Sequence, residues 1–475
     1  MARDLATPSD DQIAARIERL PLSAWHVRIG IVICTGFFFD AFDIMTLAYA
    51  LPVLVPQWHL SPAQIGPAIS VGFIGQIFGA LFFGWLAQKV GRVKSAIWTI
   101  LVFSLMSLAC AFAWNLPSLM AMRFIQGWGI GGAIPILATY VNEFANSGRR
   151  GRFVLCYQSA FAIGLPLTAW IGNLVVPTLG WQWMFVIGAL PGLIVLPLAR
   201  LLPESPRWLA NRGRADEANR VLSRIEAVIS HNGARPLPPI PTGMPRVPRA
   251  DTHVGDLFRG IYLKRTLTVW ALWFCTYVIT YGMLTWMPTV WGTVYHMSLS
   301  EALRYQSIYA VIAAPGFLIT IFLIDFLGRR RMFMLGLGLG GCLMLLLAAN
   351  PDAAPATVLV ALSLSQLSVG MLALALSTYT AELYPTELRA LGSGFGNAWL
   401  RLGGTAGPAF IGAVLPLYGL KAVFFTFGLL LLVGFVVCFF FAVETCGKVL
   451  EQLSPSLARP RAKTAAPALP GIEPT

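Results

Sequence analysis

Two carboxylates lie inside the first long apolar stretch of this sequence, where charged side chains are costly. Asp40 and Asp43 fall about 18 and 22 Å along a helix that starts near Arg28. Their spacing puts both on one face of that helix. A carboxylate at this depth costs roughly 2.5–3.5 kcal/mol to insert unless it faces a wet cavity, a partner or a proton path. We expect the pair to take up and release a proton, and a structural pair held by Arg123 or by backbone donors is the alternative.

Two arginines are placed at similar depths. Arg123 in the fourth apolar stretch lies near the depth of Asp43, so an ion pair between them is geometrically open, and we assign it to the same proton-coupling group. Arg401 lies about 18 Å into the eleventh stretch. Because a guanidinium binds a carboxylate through two parallel hydrogen bonds, Arg401 is predicted to anchor an acidic substrate. The alternative for Arg401 is a structural partner of a helix C-terminus.

Aromatic residues form a stripe in the seventh apolar stretch. Trp273, Tyr277 and Tyr281 recur at a spacing of four residues, which places them on one helix face. Such a stripe is suited to stack a flat ring of a substrate, and packing in the core or against lipid is the commoner explanation.

The elements that carry these residues are long apolar helices. Of the 475 residues, 57% are hydrophobic and 12% are charged. Stretches of about 20 apolar residues suffice to cross a hydrocarbon core of about 30 Å. The sequence therefore predicts an all-α membrane protein with twelve transmembrane helices, and the spans are 28–54, 64–87, 95–114, 117–142, 153–176, 181–202, 266–293, 302–326, 332–350, 355–381, 390–416 and 419–443.

The net charge of +13 is explained by topology. Cations concentrate on one side of the predicted spans, and the positive-inside rule makes that side and both termini cytoplasmic. We therefore expect contact with an anionic lipid bilayer and no nucleic-acid partner. The predicted division is a cytoplasmic tail (1–25), a six-helix bundle (26–202), a cytoplasmic linker (203–265), a second six-helix bundle (266–444) and a cytoplasmic tail (445–475).

The two predicted bundles repeat each other. Gly91 and Arg92 recur as Gly328 and Arg329, and Glu143 and Glu204 recur as Glu382 and Glu444 at nearly the same spacing. Such a repeat indicates two pseudo-symmetric bundles with a substrate site between them near mid-membrane.

The loop segments carry a family resemblance. Residues 84–94, 123–131, 203–209, 325–331 and 382–389 resemble motifs of the major facilitator superfamily, and the resemblance covers residues 25 to 450. It implies the major facilitator fold and transport by alternating access. It also implies a gating role for charges at the cytoplasmic helix ends, with Gln88 standing where an Asp is usual. The predicted gating residues are Gly91, Arg92, Asp325, Arg329, Glu143, Arg152, Glu382 and Arg389.

The branch within the superfamily is indicated by the first and seventh spans. Residues 39–44 are similar to the Asp-Gly-Phe-Asp motif of aromatic acid:proton symporters, with Ala41 in place of the Gly. The seventh span lacks the paired glutamines of sugar porters, although Gln158 resembles one of their substrate-contacting glutamines. We therefore assign Gln158 to substrate binding together with Arg401.

Other classes of protein are disfavoured. No phosphate-cradling glycine-rich loop occurs, so an ion or substrate gradient must supply the energy. The five histidines lie at span ends or in loops without metal-ligand spacing, so we expect no enzyme, no metal and no cofactor. The predicted function is proton-coupled symport of a small organic acid, with an aromatic or heteroaromatic carboxylate favoured, by a monomer in the inner membrane. The alternatives are sugar or polyol symport with protons, and drug or metabolite efflux by proton antiport.

Overall fold

The computed structural model describes residues 10–21, 23–144, 150–200, 202–230, 236–241 and 253–447, without the side chains of 10, 11, 150–157, 195, 196, 198–200, 321 and 386. Ten of the described helices are long and apolar enough to cross a membrane. The first half contains Ala24–Gln57, Pro62–Val90, Arg92–Cys110, Leu116–Phe144, Arg150–Leu179 and a sixth span made of Gln182–Gly188 and Leu190–Arg200. The second half contains Ile261–Thr293, an eighth span made of Leu299–Ala313 and Pro315–Leu327, then Arg329–Ala349, Pro355–Leu383 and Thr386–Phe441. We number the spans in this order.

The interruptions have local causes. The eighth span breaks before Pro315, because proline lacks the amide hydrogen that the helix needs. Helix Thr386–Phe441 holds the eleventh and twelfth spans, which separate at Gly419, where φ is 71°. Only glycine adopts such a conformation without steric cost. The sequence predicted the boundary between the eleventh and twelfth spans at the same place. The sixth span was predicted as one helix over 181–202, and the structure corrects this, since Ala189 divides it.

Close glycine contacts hold the helices of each half together. A Cβ on Gly75 would lie 2.1 Å from the carbonyl oxygen of Phe124, so the second and fourth spans touch through their backbones. In the second half, a Cβ on Gly407 would lie 2.1 Å from the carbonyl oxygen of Val278, which joins the eleventh span to the seventh. Helices pack this closely in membranes when small residues line the contact.

Short helices cover one end of the first half. Helix Asp10–Glu18 lies in the predicted tail, and Pro206–Asn211 and Ala215–Ile229 lie in the predicted linker, followed by the 3-10 helix Val254–Phe258. Because the number of spans is even, Asp10 and Gly447 lie at the same side of the molecule, which we call the terminus side. The opposite side is called the far side.

The two halves meet toward the far side. The Ser70 hydroxyl donates a hydrogen bond to the carbonyl oxygen of Thr405 at 2.7 Å, and the Ser307 hydroxyl donates to the carbonyl oxygen of Ala169 at 3.0 Å. A Cβ on Gly66 would lie 2.9 Å from the carbonyl oxygen of Pro408. These contacts close the far side between the halves.

Candidate functional site

Asp43 and Arg123 form an ion pair inside the first half. The Arg123 Nη1 to Asp43 Oδ1 distance is 2.6 Å, and the side chains are 6% and 3% exposed. The same Nη1 donates to Gln126 Oε1 at 2.9 Å, while Nε of Arg123 is buried without a hydrogen-bond partner. The predicted contact between the first and fourth spans is therefore present, and the carboxylate of Asp43 is held by it.

Asp40 lies in a different environment, although it shares a helix face with Asp43. It is partly buried, and no hydrogen-bond donor among the described residues binds it. Its charge interacts with Arg401 of the second half, without a direct ion pair between them. The two carboxylates therefore differ: Asp43 is fixed within one half, and Asp40 faces the interface between the halves.

Arg401 connects the two halves at the centre of the molecule. Its Nη1 donates to Gln76 Oε1, and its Nη2 donates to the carbonyl oxygen of Gly131 at 3.3 Å. Gln76 and Gly131 belong to the second and fourth spans. Both partners are neutral, so the guanidinium charge is not cancelled by these bonds and remains able to bind an anion.

The aromatic stripe of the seventh span lies beside Arg401. The rings of Trp273 and Tyr277 stack at 5.4 Å with an interplanar angle of 13°, and Tyr277 and Tyr281 follow at 5.4 Å. Phe73 of the first half packs on Tyr281 at 5.0 Å. Tyr281 lies near both Asp40 and Arg401. The stack therefore reaches the charged centre, and its three rings are buried, as core packing also requires.

Gln158 of the fifth span lies between the halves, nearer the terminus side. Its Nε2 donates a hydrogen bond to Ser377 Oγ of the tenth span at 3.3 Å. The side chain therefore lies at the interface between the halves, as a substrate-binding residue must, and its described partner there is a serine hydroxyl.

The predicted gating residues of the first half form one network at the terminus side. Arg92 Nη2 pairs with Glu143 Oε1 at 3.0 Å, and Arg92 Nη1 donates to the carbonyl oxygen of Ala87 at 2.9 Å. The carboxylate of Glu204 accepts from the backbone amide of Arg92 at 2.8 Å. Gly91, with φ of 112°, leaves room for that carboxylate, because a Cβ there would lie 2.2 Å from Glu204 Oε2.

The second half repeats this network. Arg329 Nη2 pairs with Glu382 Oε1 at 2.9 Å, and Glu444 accepts from the backbone amides of Arg329 and Arg330 at 2.9 and 3.0 Å. Burial alone would raise the pKa of Glu444, but bonds from four backbone amides hold this pKa below its usual value. A carboxylate at the first turn of a helix also binds the positive end of the helix dipole. Each half therefore fixes the start of its third helix with a glutamate from the end of its sixth.

The two glutamates of the predicted gating set pair with arginines of the same set. Glu143 pairs with Arg92, and Glu382 pairs with Arg329. Arg389 makes no ion pair in the described part of the chain, and its Nε is buried without a partner. The side chain of Arg152 lies outside the described residues.

Asp325 contributes little to the stability of this network, although it lies in the gating motif. It bonds Arg329 at 2.9 Å, but its side chain is 80% exposed. Exposed pairs of this kind contribute about 0–1 kcal/mol. The networks described here lie within each half, so they order the helix ends of one half and do not bridge the two halves.

Three site residues were missed or underused by the sequence analysis. The sequence does not indicate Gln76 as the partner of Arg401, since the two lie in different halves. Phe73 precedes Gln76 by three residues and shares its helix face, a spacing that signals proximity. Ser377 lies in a stretch of small residues, and nothing in the sequence indicates that it contacts Gln158.

A fold of two six-helix halves, with charged and aromatic side chains at their interface, defines a transporter of the major facilitator superfamily. The chain belongs to the family described as "Sugar (and other) transporter", whose model matches residues 31–457. Because the family and the relatives found are transporters, the protein is a multi-pass membrane transporter and not an enzyme.

Individual relatives transport aromatic acids. The chain is 34% identical over 445 residues to a niacin transporter of Acinetobacter baylyi, covering 93% of this chain and 99% of that protein. It is 29% identical over 431 residues to a gallate transporter of Pseudomonas putida, covering 90% and 94%. Among solved structures, the xylose transporter XylE from E. coli in a partially occluded inward-open conformation matches with a TM-score of 0.71 at 20% identity, covering 90% of this chain and all of that one. The last likeness concerns the fold alone.

Proposed function

We propose that this transporter carries a small aromatic or heteroaromatic carboxylate together with protons across the inner membrane, by alternating access. The observation that carries the proposal is the position of Arg401, whose guanidinium is hydrogen-bonded only to neutral groups and lies between the halves beside a stack of aromatic rings. A carboxylate and a flat ring are the two groups that such a site binds.

These two features support one position for the substrate. Its carboxylate binds Arg401 in place of the amide oxygen of Gln76, and its ring lies against Tyr281 and Tyr277. Niacin is a pyridine carboxylate and gallate a benzene carboxylate, so the relatives named for them transport molecules with both groups. Replacing a neutral amide by a carboxylate strengthens the hydrogen bonds of the guanidinium, because both partners are then charged.

Proton coupling is assigned to Asp40, Asp43 and Arg123. Asp40 lies near Arg401 without a hydrogen bond, so a substrate anion bound to Arg401 brings a second negative charge close to Asp40. Asp40 then binds a proton more readily, and substrate and proton travel together. The pair of Asp43 and Arg123 holds the first span against the fourth beside this centre.

Alternating access is supported by the contacts that close the far side. With both termini cytoplasmic, as the positive-inside rule predicts, the far side is the external side. The described conformation then has its external side closed, as one state of an alternating-access cycle requires. The chain contains both halves of the site, so a monomer suffices for transport.

Sugar symport is the second candidate, because the family description includes sugars and Gln158 lies at the interface between the halves. A sugar binds through neutral hydroxyl groups and needs amide partners more than a guanidinium. The two candidates therefore differ in their dependence on Arg401.

The test is a thermal-shift screen of the purified protein with nicotinate, benzoate, gallate and xylose, on the native chain and on Arg401→Ala and Arg401→Lys. A ligand at 100 times its Kd stabilises the native state by about 2.7 kcal/mol. We expect aromatic acids to raise the Tm of the native chain, Arg401→Ala to lose this shift, and Arg401→Lys to bind at least about tenfold more weakly, because lysine lacks the planar fork.

Arg304→Ala serves as the control, since Arg304 is an exposed cation far from the site, and its shift should equal that of the native chain. Stabilisation by xylose alone, or an unchanged shift with nicotinate in Arg401→Ala, would contradict the proposal.

A further inference from the structure

A cavity of about 490 Å³ lies at the terminus side of the second half, away from the site between the halves. It is formed where the eighth span ends, the ninth begins and the twelfth has just ended. Phe326, Leu327 and Met334 give it an apolar wall, and Arg330 and Arg331 give it a basic one. We call it the basic pocket.

The two arginines of the basic pocket have no ion pair among the described residues. Arg330 donates from Nη2 to the carbonyl oxygen of Phe439, and its Nε is buried without a hydrogen-bond partner. Arg331 is exposed. Glu444 adds one negative charge to the lining, but its oxygens accept hydrogen bonds from the backbone amides of Arg329 and Arg330, so two arginines face one carboxylate and the pocket stays basic.

The surroundings of the basic pocket are those of a membrane surface. Phe322, Phe326 and Phe440 on the adjoining helices have exposed fractions of 78%, 85% and 69%. Aromatic side chains exposed on transmembrane helices face lipid chains. The basic pocket lies at the ends of these same helices, which is the depth of lipid headgroups.

We propose that the basic pocket binds the headgroup of an anionic phospholipid, such as phosphatidylglycerol, from the membrane leaflet at the terminus side. Arg330 and Arg331 bind the phosphate, and the acyl chains lie along Phe322 and Phe326. The choice of a lipid over a soluble anion rests on the exposed apolar surface that continues from the pocket, since an inorganic anion has no use for it.

The first half does not repeat this site. At the positions that correspond to Arg330 and Arg331 it has Val93 and Lys94, and Val93 packs against an apolar cluster. The valine therefore supplies a natural substitution for testing the role of Arg330, and Lys94 supplies a control cation at the same side of the membrane.

The experiment measures phosphatidylglycerol and phosphatidylethanolamine retained by the full-length protein in mild detergent, by native mass spectrometry. Each arginine near a lipid surface contributes about fivefold to binding of an anionic lipid. We expect Arg331→Gln to lower phosphatidylglycerol affinity about fivefold and Arg330→Val with Arg331→Gln about 25-fold, with Lys94→Gln unchanged. Because the side chain of Arg331 has no hydrogen bond or ion pair within the described part of the chain, Arg331→Gln decides the question even if the double variant does not fold.

Three results would overturn the proposal. One is equal retention of phosphatidylglycerol by Arg331→Gln and the native chain. Another is an affinity for phosphatidylethanolamine equal to that for phosphatidylglycerol, which would show that the negative charge of the lipid does not determine binding. The third is displacement of the lipid by millimolar inorganic phosphate, which would make the basic pocket a site for soluble anions.

Discussion

At the scale of single residues, the main finding is that Asp40 and Asp43 have different partners. The sequence predicts that both lie deep in the first span on one helix face, and it makes an ion pair with Arg123 geometrically possible. It does not predict which carboxylate takes that partner, because the choice depends on how the first span is rotated against the fourth and eleventh. In the structure Arg123 forms an ion pair with Asp43, and Asp40 lies near Arg401 without an ion pair.

This difference leads to distinct expectations for the two asparagine variants. Asp40→Asn is expected to retain substrate exchange in proteoliposomes and to lose accumulation driven by a pH gradient, because the group that changes charge is gone. Asp43→Asn is expected to lower the stability by about 3–5 kcal/mol, because it leaves a buried guanidinium without its counter-charge. The two variants are compared by measuring exchange and accumulation of labelled nicotinate and the Tm of each variant.

Each asparagine variant is the control for the other, since both remove one carboxylate from the same helix face. Full accumulation by Asp40→Asn would exclude Asp40 as the proton carrier. A Tm of Asp43→Asn equal to that of the native chain would show that the ion pair with Arg123 has no structural role.

At the scale of elements, the amphipathic pattern of residues 214–229 indicates a helix, and the structure has one at Ala215–Ile229. Helix Asp10–Glu18 was not predicted, because nine residues with a polar composition give a weak signal. Its stability comes from tertiary contacts. Ile13 and Ile17 are buried in one cluster with Leu222 and Ile225 of the other helix.

Glu226 holds these two helices together through charge. It binds Arg16 at 2.6 Å and Arg19 at 2.7 Å. Burial would raise the pKa of Glu226, but the hydrogen bonds from both arginines outweigh it and lower this pKa below its usual value. The stabilisation is therefore complete above the unfolded-state pKa of about 4.3 and is lost as the pH falls through the lowered value.

We expect Glu226→Gln to release helix Asp10–Glu18 at neutral pH, because the amide keeps the shape and removes the charge. Amide hydrogen exchange over residues 10–18 should rise at least about tenfold, and the native chain should show the same rise only at a pH below about 4. Glu217→Gln is the control, since Glu217 is on the same helix but pairs locally with Arg214. Unchanged protection in Glu226→Gln would mean that the charge of Glu226 is not needed to hold the helix.

At the scale of the whole molecule, the sequence predicted most of the fold. Apolar length, charge asymmetry and the repeated Gly-Arg and Glu residues were enough to define the spans and the two halves. The conformation was not predictable, because every span keeps the same sequence in each state. It is set by contacts between the halves, such as those of Ser70 and Gly66 with the eleventh span.

Closure of the far side can be tested with a bulky side chain. Gly66→Trp should hold the halves apart there, because even a Cβ at this position lies within 3.3 Å of Gly412 Cα. We expect transport to fall more than about tenfold while the thermal shift with nicotinate remains, since each 1.4 kcal/mol between two states changes their ratio tenfold. Gly84→Trp on the same helix is the control, as nothing lies within 4 Å of its Cβ.

Normal transport by Gly66→Trp would show that the far side does not need to close on this contact. Loss of transport in Gly84→Trp as well would point to a general effect of tryptophan on the second span.

The capping of helix starts by Glu204 and Glu444 has a consequence for the making of the protein. In each half, the amide groups at the start of the third helix have a carboxylate as their hydrogen-bond acceptor. That carboxylate is synthesised about a hundred residues later, after the sixth helix. A ribosome that stops before Glu444 releases a chain whose ninth span begins with unbound amides and a crowded set of arginines. The capping of the third helix is therefore complete only when the sixth helix of the same half has been made, so each half is finished at its terminus-side surface by its own last residues.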